Sequence, residues 1–98
     1  MTIETTPWDP TEFLDSDEAI AAYLEAAFEE GDPKFIAIAL GNIARAKGMT
    51  SVAKDAGITR EALYKSLSEK GDPKLSTLLG VMKALGLRVT VAPASEAA

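Results

Sequence analysis

The side chains with the most chemical reach in this 98-residue chain gather in and just after one stretch, TSVAKDAGITREALYKSL, residues 50–67. They are Thr50, Ser51, Lys54, Thr59, Arg60, Glu61, Tyr64 and Lys65, followed by Ser68 and Lys70. Their chemistry is hydrogen bonding and charge, not bond breaking. Arg60 offers a planar fork of donors that suits guanine, and Lys54, Lys65 and Lys70 suit phosphates. The chain holds no histidine and no cysteine, so the commonest general base and the best thiol nucleophile are both missing. No glycine-rich phosphate loop occurs, and Asp15, Asp17 and Glu18 lack the glycine and distal glutamate of a calcium loop. The expectation is no enzyme, no cofactor and no metal.

Presenting those groups requires two short helices held at a fixed angle, the helix-turn-helix pattern. Ala53 is small where two axes cross closely, and Gly57, four positions on, supplies the left-handed backbone that ends the first helix. Gly57, Ile58 and Thr59 form the turn. Thr59 caps the second helix, and Ile58 packs on Leu63 as a hydrophobic staple. Val52, Ala53, Ala56, Ile58, Leu63 and Leu67 then face inward, leaving Arg60, Glu61, Tyr64, Lys65 and Ser68 to reach base edges in a major groove. An ordinary helical hairpin inside a bundle fits each feature singly; their joint occurrence favours DNA.

At this length and with 47% hydrophobic residues the chain is one domain with one modest core. Absence of cysteine fits a reducing compartment, and neither a membrane-spanning run nor a signal peptide is visible, so the expected location is cytoplasmic. The net charge of −5 argues at first against a polyanion partner, but the average hides a division. Residues 1–32 carry ten acidic groups and no Lys or Arg, a charge of −10; residues 33–98 carry all ten basic groups and five acidic ones, a charge of +5. Two partners of opposite charge are implied: a basic one for the first third, an anionic one for the rest.

Residues 1–14 show two prolines and no period, and read as an extended segment. Trp8 and Phe13 either fold over the domain's own core or anchor a basic partner. Asp15 reads as the N-cap, with Glu18 as its reciprocal partner, of a helix over 16–30. That helix turns Ile20, Tyr23, Leu24, Ala27 and Phe28 inward and Glu18, Glu25 and Glu29 outward, an acidic face that is either solvated or partner-binding. Gly31-Asp32-Pro33 stops it and starts the next, whose stripe is Ile36, Ala39, Leu40, Ile43 and Ala44, with Gly48 closing and Thr50 capping the following helix. Gly71-Asp72-Pro73-Lys74 repeats Gly31-Asp32-Pro33-Lys34 and predicts a helix over 73–85 with Leu75, Leu78, Leu79, Met82 and Leu85 on the core side and Gly86 as its stop. Leu87, Val89 and Val91 alternate with Arg88 and Thr90 as a short strand. A lone strand needs a partner, and the economical one is the same strand of a second copy; a tail lying on the last helix is the alternative. The fold class is therefore an all-α, five-helix bundle containing a helix-turn-helix, with a short C-terminal β-strand. Its division is 1–14 extended, 15–91 folded domain, and 92–98 disordered tail.

Taken together, EAIAAYLEAAFEEGDP, IARAKGMTSVAKDAGITREALYKSLSEKGDP and LLGVMKALGL cover nearly all of residues 15–87 in one order. They resemble addiction-module antidote proteins of the HigA-like kind, with a DNA-binding domain of the Cro and phage-repressor class, and WDPTEFL is similar to that family's opening. The resemblance implies a type II antitoxin that neutralises a small basic toxin of the RelE-like or HigB-like class and, as a homodimer, represses its own operon by binding operator DNA. On it the DNA-facing positions are Thr59, Arg60, Glu61, Tyr64, Lys65 and Ser68. One position departs from the pattern: a late core residue of the recognition helix is Ser66 here, with Leu67 beside it, so either the helix rotates or Leu67 takes over the packing. A stand-alone repressor and an interaction module that has lost DNA binding remain the alternatives.

Overall fold

A computed structural model describes residues 16–94. Among these the chain is all-helical: α1 (Asp17–Glu30), α2 (Pro33–Lys47), α3 (Met49–Ala56), α4 (Arg60–Ser66) and α5 (Leu75–Ala84). The five expected helices are present, with α1 packed on α2 and α3 packed on α2, α4 and α5. Ile20, Leu40, Ile43, Leu63, Leu67 and Val81 are the largest fully buried side chains and mark the centre of the core.

The cap of α1 is Ser16, whose Oγ accepts from the Ala19 amide at 3.1 Å. The expected cap, Asp15, lies outside the described residues, and the extended backbone of Ser16 brings its short hydroxyl over the first turn. Ile20, Leu24 and Ala27 are buried and Tyr23 half-buried, whereas Phe28 is 41% exposed at the end of the helix. Asp32 caps α2 by accepting from the Lys34 amide at 3.0 Å, with Pro33 at the first helical position. Ala37, Ala39, Leu40, Gly41, Ile43 and Ala44 are buried, so α2 is enclosed over much of its circumference.

Thr50 does not cap α3. Gly48, at φ +110°, does both jobs at the junction: its amide donates to the Ala44 carbonyl at 2.8 Å and its carbonyl accepts from the Val52 amide at 3.0 Å. Such a backbone favours glycine, and it starts α3 early enough to draw Met49 into the core, placing Thr50 on the exposed first turn. The next turn is as the residues dictate. Gly57 adopts φ +78°, the Ile58 amide donates to Ala53 at 3.0 Å, and Thr59 Oγ1 accepts from the Ala62 amide at 3.0 Å.

α4 ends at Ser66, and Leu67 leaves the helical conformation with its side chain 1% exposed. Leu67 therefore takes over the late packing position, and α2 admits it through Gly41, where a Cβ would overlap the Leu67 carbonyl. Ser68, expected on the helix, comes after it, half-buried with its hydroxyl donating to the Lys65 carbonyl at 2.9 Å.

The repeated Gly-Asp-Pro-Lys has two fates. At 31–34 it opens a helix; at 71–74 it is an irregular link, and α5 begins at Leu75 instead of residue 73. Gly71 is pressed against the end of α4, where a Cβ would overlap the Ser66 carbonyl, and its amide donates to Ser68 at 2.9 Å. Tied down there, the backbone enters the helix only after Lys74. The buried side of α5 also differs from the expected one. Val81, Met82 and Leu85 are buried and Leu78 half-buried, but Leu75 is 69% and Leu79 47% exposed. Gly80 turns the helix, because its place against α3 puts an added Cβ 3.2 Å from the Ala56 carbonyl oxygen and 3.3 Å from its Cα.

Gly86, at φ +75°, ends the bundle, and the Leu87 amide donates to the Met82 carbonyl at 2.9 Å, folding Leu87 onto the core. The expected β-strand over 87–91 is not formed, and no strand occurs among the described residues. A strand exists only by pairing, and the five helices offer no free sheet edge to this segment. Val89 and Val91 are left 51% and 95% exposed.

Candidate nucleic-acid and partner interfaces

The short turn and the burial of Leu63 decide what α4 shows to solvent. Arg60, Glu61, Tyr64 and Lys65 are exposed, as are Thr50, Ser51 and Lys54 on α3, Thr59 at the turn, and Lys70 after α4. Ser68 is the expected contact that turns partly inward.

Arg60 and Tyr64 lie one helical turn apart and interact. Arg60 Nη2 donates to Tyr64 Oη at 3.4 Å, and its guanidinium carbon is 5.5 Å from the ring centroid. Its pKa lies above the ordinary arginine value, first because of that hydrogen bond and then through electrostatic interaction with the same side chain, against a smaller opposing effect of desolvation and with the least contribution from Glu61. Its charge is permanent. A second guanidinium reaches the same ring from another helix: Arg45 of α2, at 5.8 Å. Arg45 Nη1 also donates to Asn42 Oδ1 at 3.1 Å, and Asn42 Nδ2 donates to Tyr23 Oη on α1 at 3.1 Å.

Arg45, Asn42 and Tyr23 were not among the expected site residues. Their signals in the sequence are weak: Asn42 and Arg45 lie off the apolar stripe of α2, and Tyr23 on the apolar face of α1 carries a hydroxyl that needs a partner once buried. Neither signal says that they meet α4.

The acidic face forms as expected, with Glu18, Glu25 and Glu29 all exposed on α1. Its one described cation contact, Lys47 Nζ to Asp17 Oδ1 at 3.9 Å, is solvent-exposed and adds little. Beside Glu25 runs a groove of about 550 Å³ between α1 and the C-terminal segment, lined by Leu24, Phe28, Met82, Leu87 and Val89 among others. Trp8 and Phe13 lie outside the described residues. Of the residues read as dimer contacts, Leu87 is half-buried against its own core and Val89 and Val91 are exposed. No helix among the described residues is long and apolar enough to cross a membrane.

A protein-family model described as a probable addiction module antidote protein matches residues 4–93. An uncharacterized protein of Haemophilus influenzae (strain Rd KW20) is 46% identical over 91 residues, which are 93% of this chain and 94% of that protein. No solved structure matches. An antidote acts by binding rather than by catalysis, so family membership carries a toxin partner with it. The chain belongs to the family of probable addiction module antidote proteins, and it is not an enzyme.

Proposed function

We propose that this antidote is a HigA-like type II antitoxin of the cytoplasm, with two working surfaces. Its acidic first third binds and neutralises a small basic toxin of the RelE-like or HigB-like class, using Trp8 and Phe13 as anchors and Glu18, Glu25 and Glu29 as the complementary field. Its α3–α4 pair is a helix-turn-helix of the Cro and phage-repressor class that binds operator DNA and represses the antidote's own operon. The observation that carries the DNA half is the α4 face: Arg60, Tyr64 and Lys65 stand outward over a buried Leu63, on a helix fixed by the Gly57 turn and the Thr59 cap. Lys54 and Lys70 flank that face and suit phosphates. The charge division supports the two halves together, since a surface that attracts DNA and one that attracts a basic protein must be kept apart on so small a chain.

Repression by such a domain requires a dimer, because half-sites lie about one helical turn apart on a palindrome. The C-terminal segment, through Leu87, Val89 and Val91, is the proposed contact, and exposed Leu75 and Leu79 on α5 are the competing surface. The test is a gel shift with the DNA upstream of the chain's own gene, run with and without the product of the adjacent gene. A shifted duplex and a bound basic protein fit the proposal. Toxin binding without a shift would leave an interaction module that has lost its DNA, and a shift with no basic partner would leave a stand-alone repressor.

A further inference from the structure

Tyr64 holds two arginines, one from α4 and one from α2. The second belongs to neither helix of the α3–α4 pair. Arg45 is fastened at two points, by the Tyr64 ring and by Asn42, and Asn42 is itself held by the Tyr23 hydroxyl. One of its donors is spent on Asn42, and among the described residues no hydrogen bond uses the rest of the guanidinium fork. Among the described residues no carboxylate comes within ion-pair distance of Arg45 or Arg60. Two guanidiniums thus share one exposed ring, and a polyanion is the chemistry that meets two such cations together.

We infer that Arg45, positioned by Tyr64 and Asn42, extends the DNA interface onto α2 and grips a backbone phosphate beside the base contacted by Arg60. The inference rests on the DNA-binding reading above. Tyr64 is then a positioning residue for both guanidiniums: its hydroxyl serves Arg60 and its ring serves both. Preformed in the free protein, the arrangement spares the ordering of two long side chains when DNA arrives.

The test is fluorescence anisotropy of the full chain with its upstream DNA and with a scrambled duplex, over a range of salt, with a melting curve for each variant. Arg45→Gln is expected to weaken binding to both duplexes by a similar factor and to reduce the slope of log affinity against log salt by about 0.9, the loss of one phosphate contact. Tyr64→Phe keeps the ring, so it should leave that slope unchanged and weaken the specific duplex alone. Tyr64→Leu should weaken both duplexes in the wild-type background and do less harm once Arg45→Gln is present, since the two act through one contact. If Arg45→Gln melts below the assay temperature, Arg45→Lys is read instead: an unchanged salt slope with weaker binding to both duplexes supports the inference, and wild-type affinity overturns it. An Arg45→Gln protein with wild-type affinity and slope overturns the inference and leaves DNA binding standing. Wild-type protein that shifts neither duplex removes the DNA-binding reading, and the inference with it.

Discussion

Arg60 and Lys65 sit on the same short helix and are expected to do different work. Arg60 is held by Tyr64 near the start of α4 and can form two parallel bonds to guanine, so Arg60→Ala should cost about 1–3 kcal/mol of operator binding and relax specificity at one base pair. Alanine at Lys54, Lys65 or Lys70 should weaken binding to every sequence alike. Competition with single-base operator variants separates the two classes, and equal loss of specific and nonspecific binding on removing Arg60 would refute its assignment. Thr59 is a structural counterpart on the same turn. Its hydroxyl caps α4, so Thr59→Ala should lower stability by about 1 kcal/mol, read as a drop of roughly 4–8 °C in Tm for a domain of this size.

Between helices, glycine does more than end them. Gly41 and Gly80 lie inside α2 and α5, where glycine is intrinsically unfavourable, and each marks a place where another backbone comes close. A methyl at Gly41 meets the Leu67 carbonyl directly, whereas at Gly80 the nearest Ala56 atoms are 3.2–3.4 Å away and need give only slightly. In paired denaturant melts Gly41→Ala should therefore destabilise by about 1–3 kcal/mol, whereas at Gly80 the small shift needed is set against alanine's better helix propensity and the variant should melt close to wild type. A Gly41 variant that melts like wild type would mean that α4 can slide away from α2 at little expense. Gly71 belongs with Gly41, since its alanine variant would push against the Ser66 carbonyl and move the end of α4.

For the whole molecule, self-association and toxin capture are the properties to measure. Leu87 closes the core, so truncation after Gly86 would confuse folding with dimerisation; Val89→Asp with Val91→Asp alters only exposed positions. That double variant should shift sedimentation toward the monomer and weaken operator binding, whereas loss of the dimer with Leu79→Asp instead would move the contact to α5. Toxin capture should show a different signature. Replacing Glu18, Glu25 and Glu29 by Gln should slow association with the basic partner and flatten its salt dependence, while the dissociation rate stays close to wild type. Deleting residues 1–14 separates the two roles open to Trp8 and Phe13. Lost toxin affinity at unchanged Tm supports anchors, and unchanged affinity refutes them.

Where a signal and its effect lie within one turn of chain, the sequence by itself determined most outcomes, Thr50, which Gly48 displaces as the start of α3, being the exception. The apolar spacing of α1 and α2, the Asp32-Pro33 start, the Gly57 stop and the Thr59 cap each act through neighbours at most five residues away, and all of them form. The exposed, chemically able face of α4 was legible for the same reason. Tertiary contact decided the rest. Gly-Asp-Pro-Lys opens a helix at 31–34 but not at 71–74, because Gly71 is pinned on the end of α4; α5 turns Leu75 and Leu79 to solvent because Gly80 lies against Ala56. The alternating run at 87–91 has the pattern of a strand and finds no second edge to pair with among the described residues. Arg45 and Tyr64 are far apart in the chain, and no periodicity relates them. Only the packing of α2 and α4 around the same core brings their side chains together, because propensity is local and proximity is not.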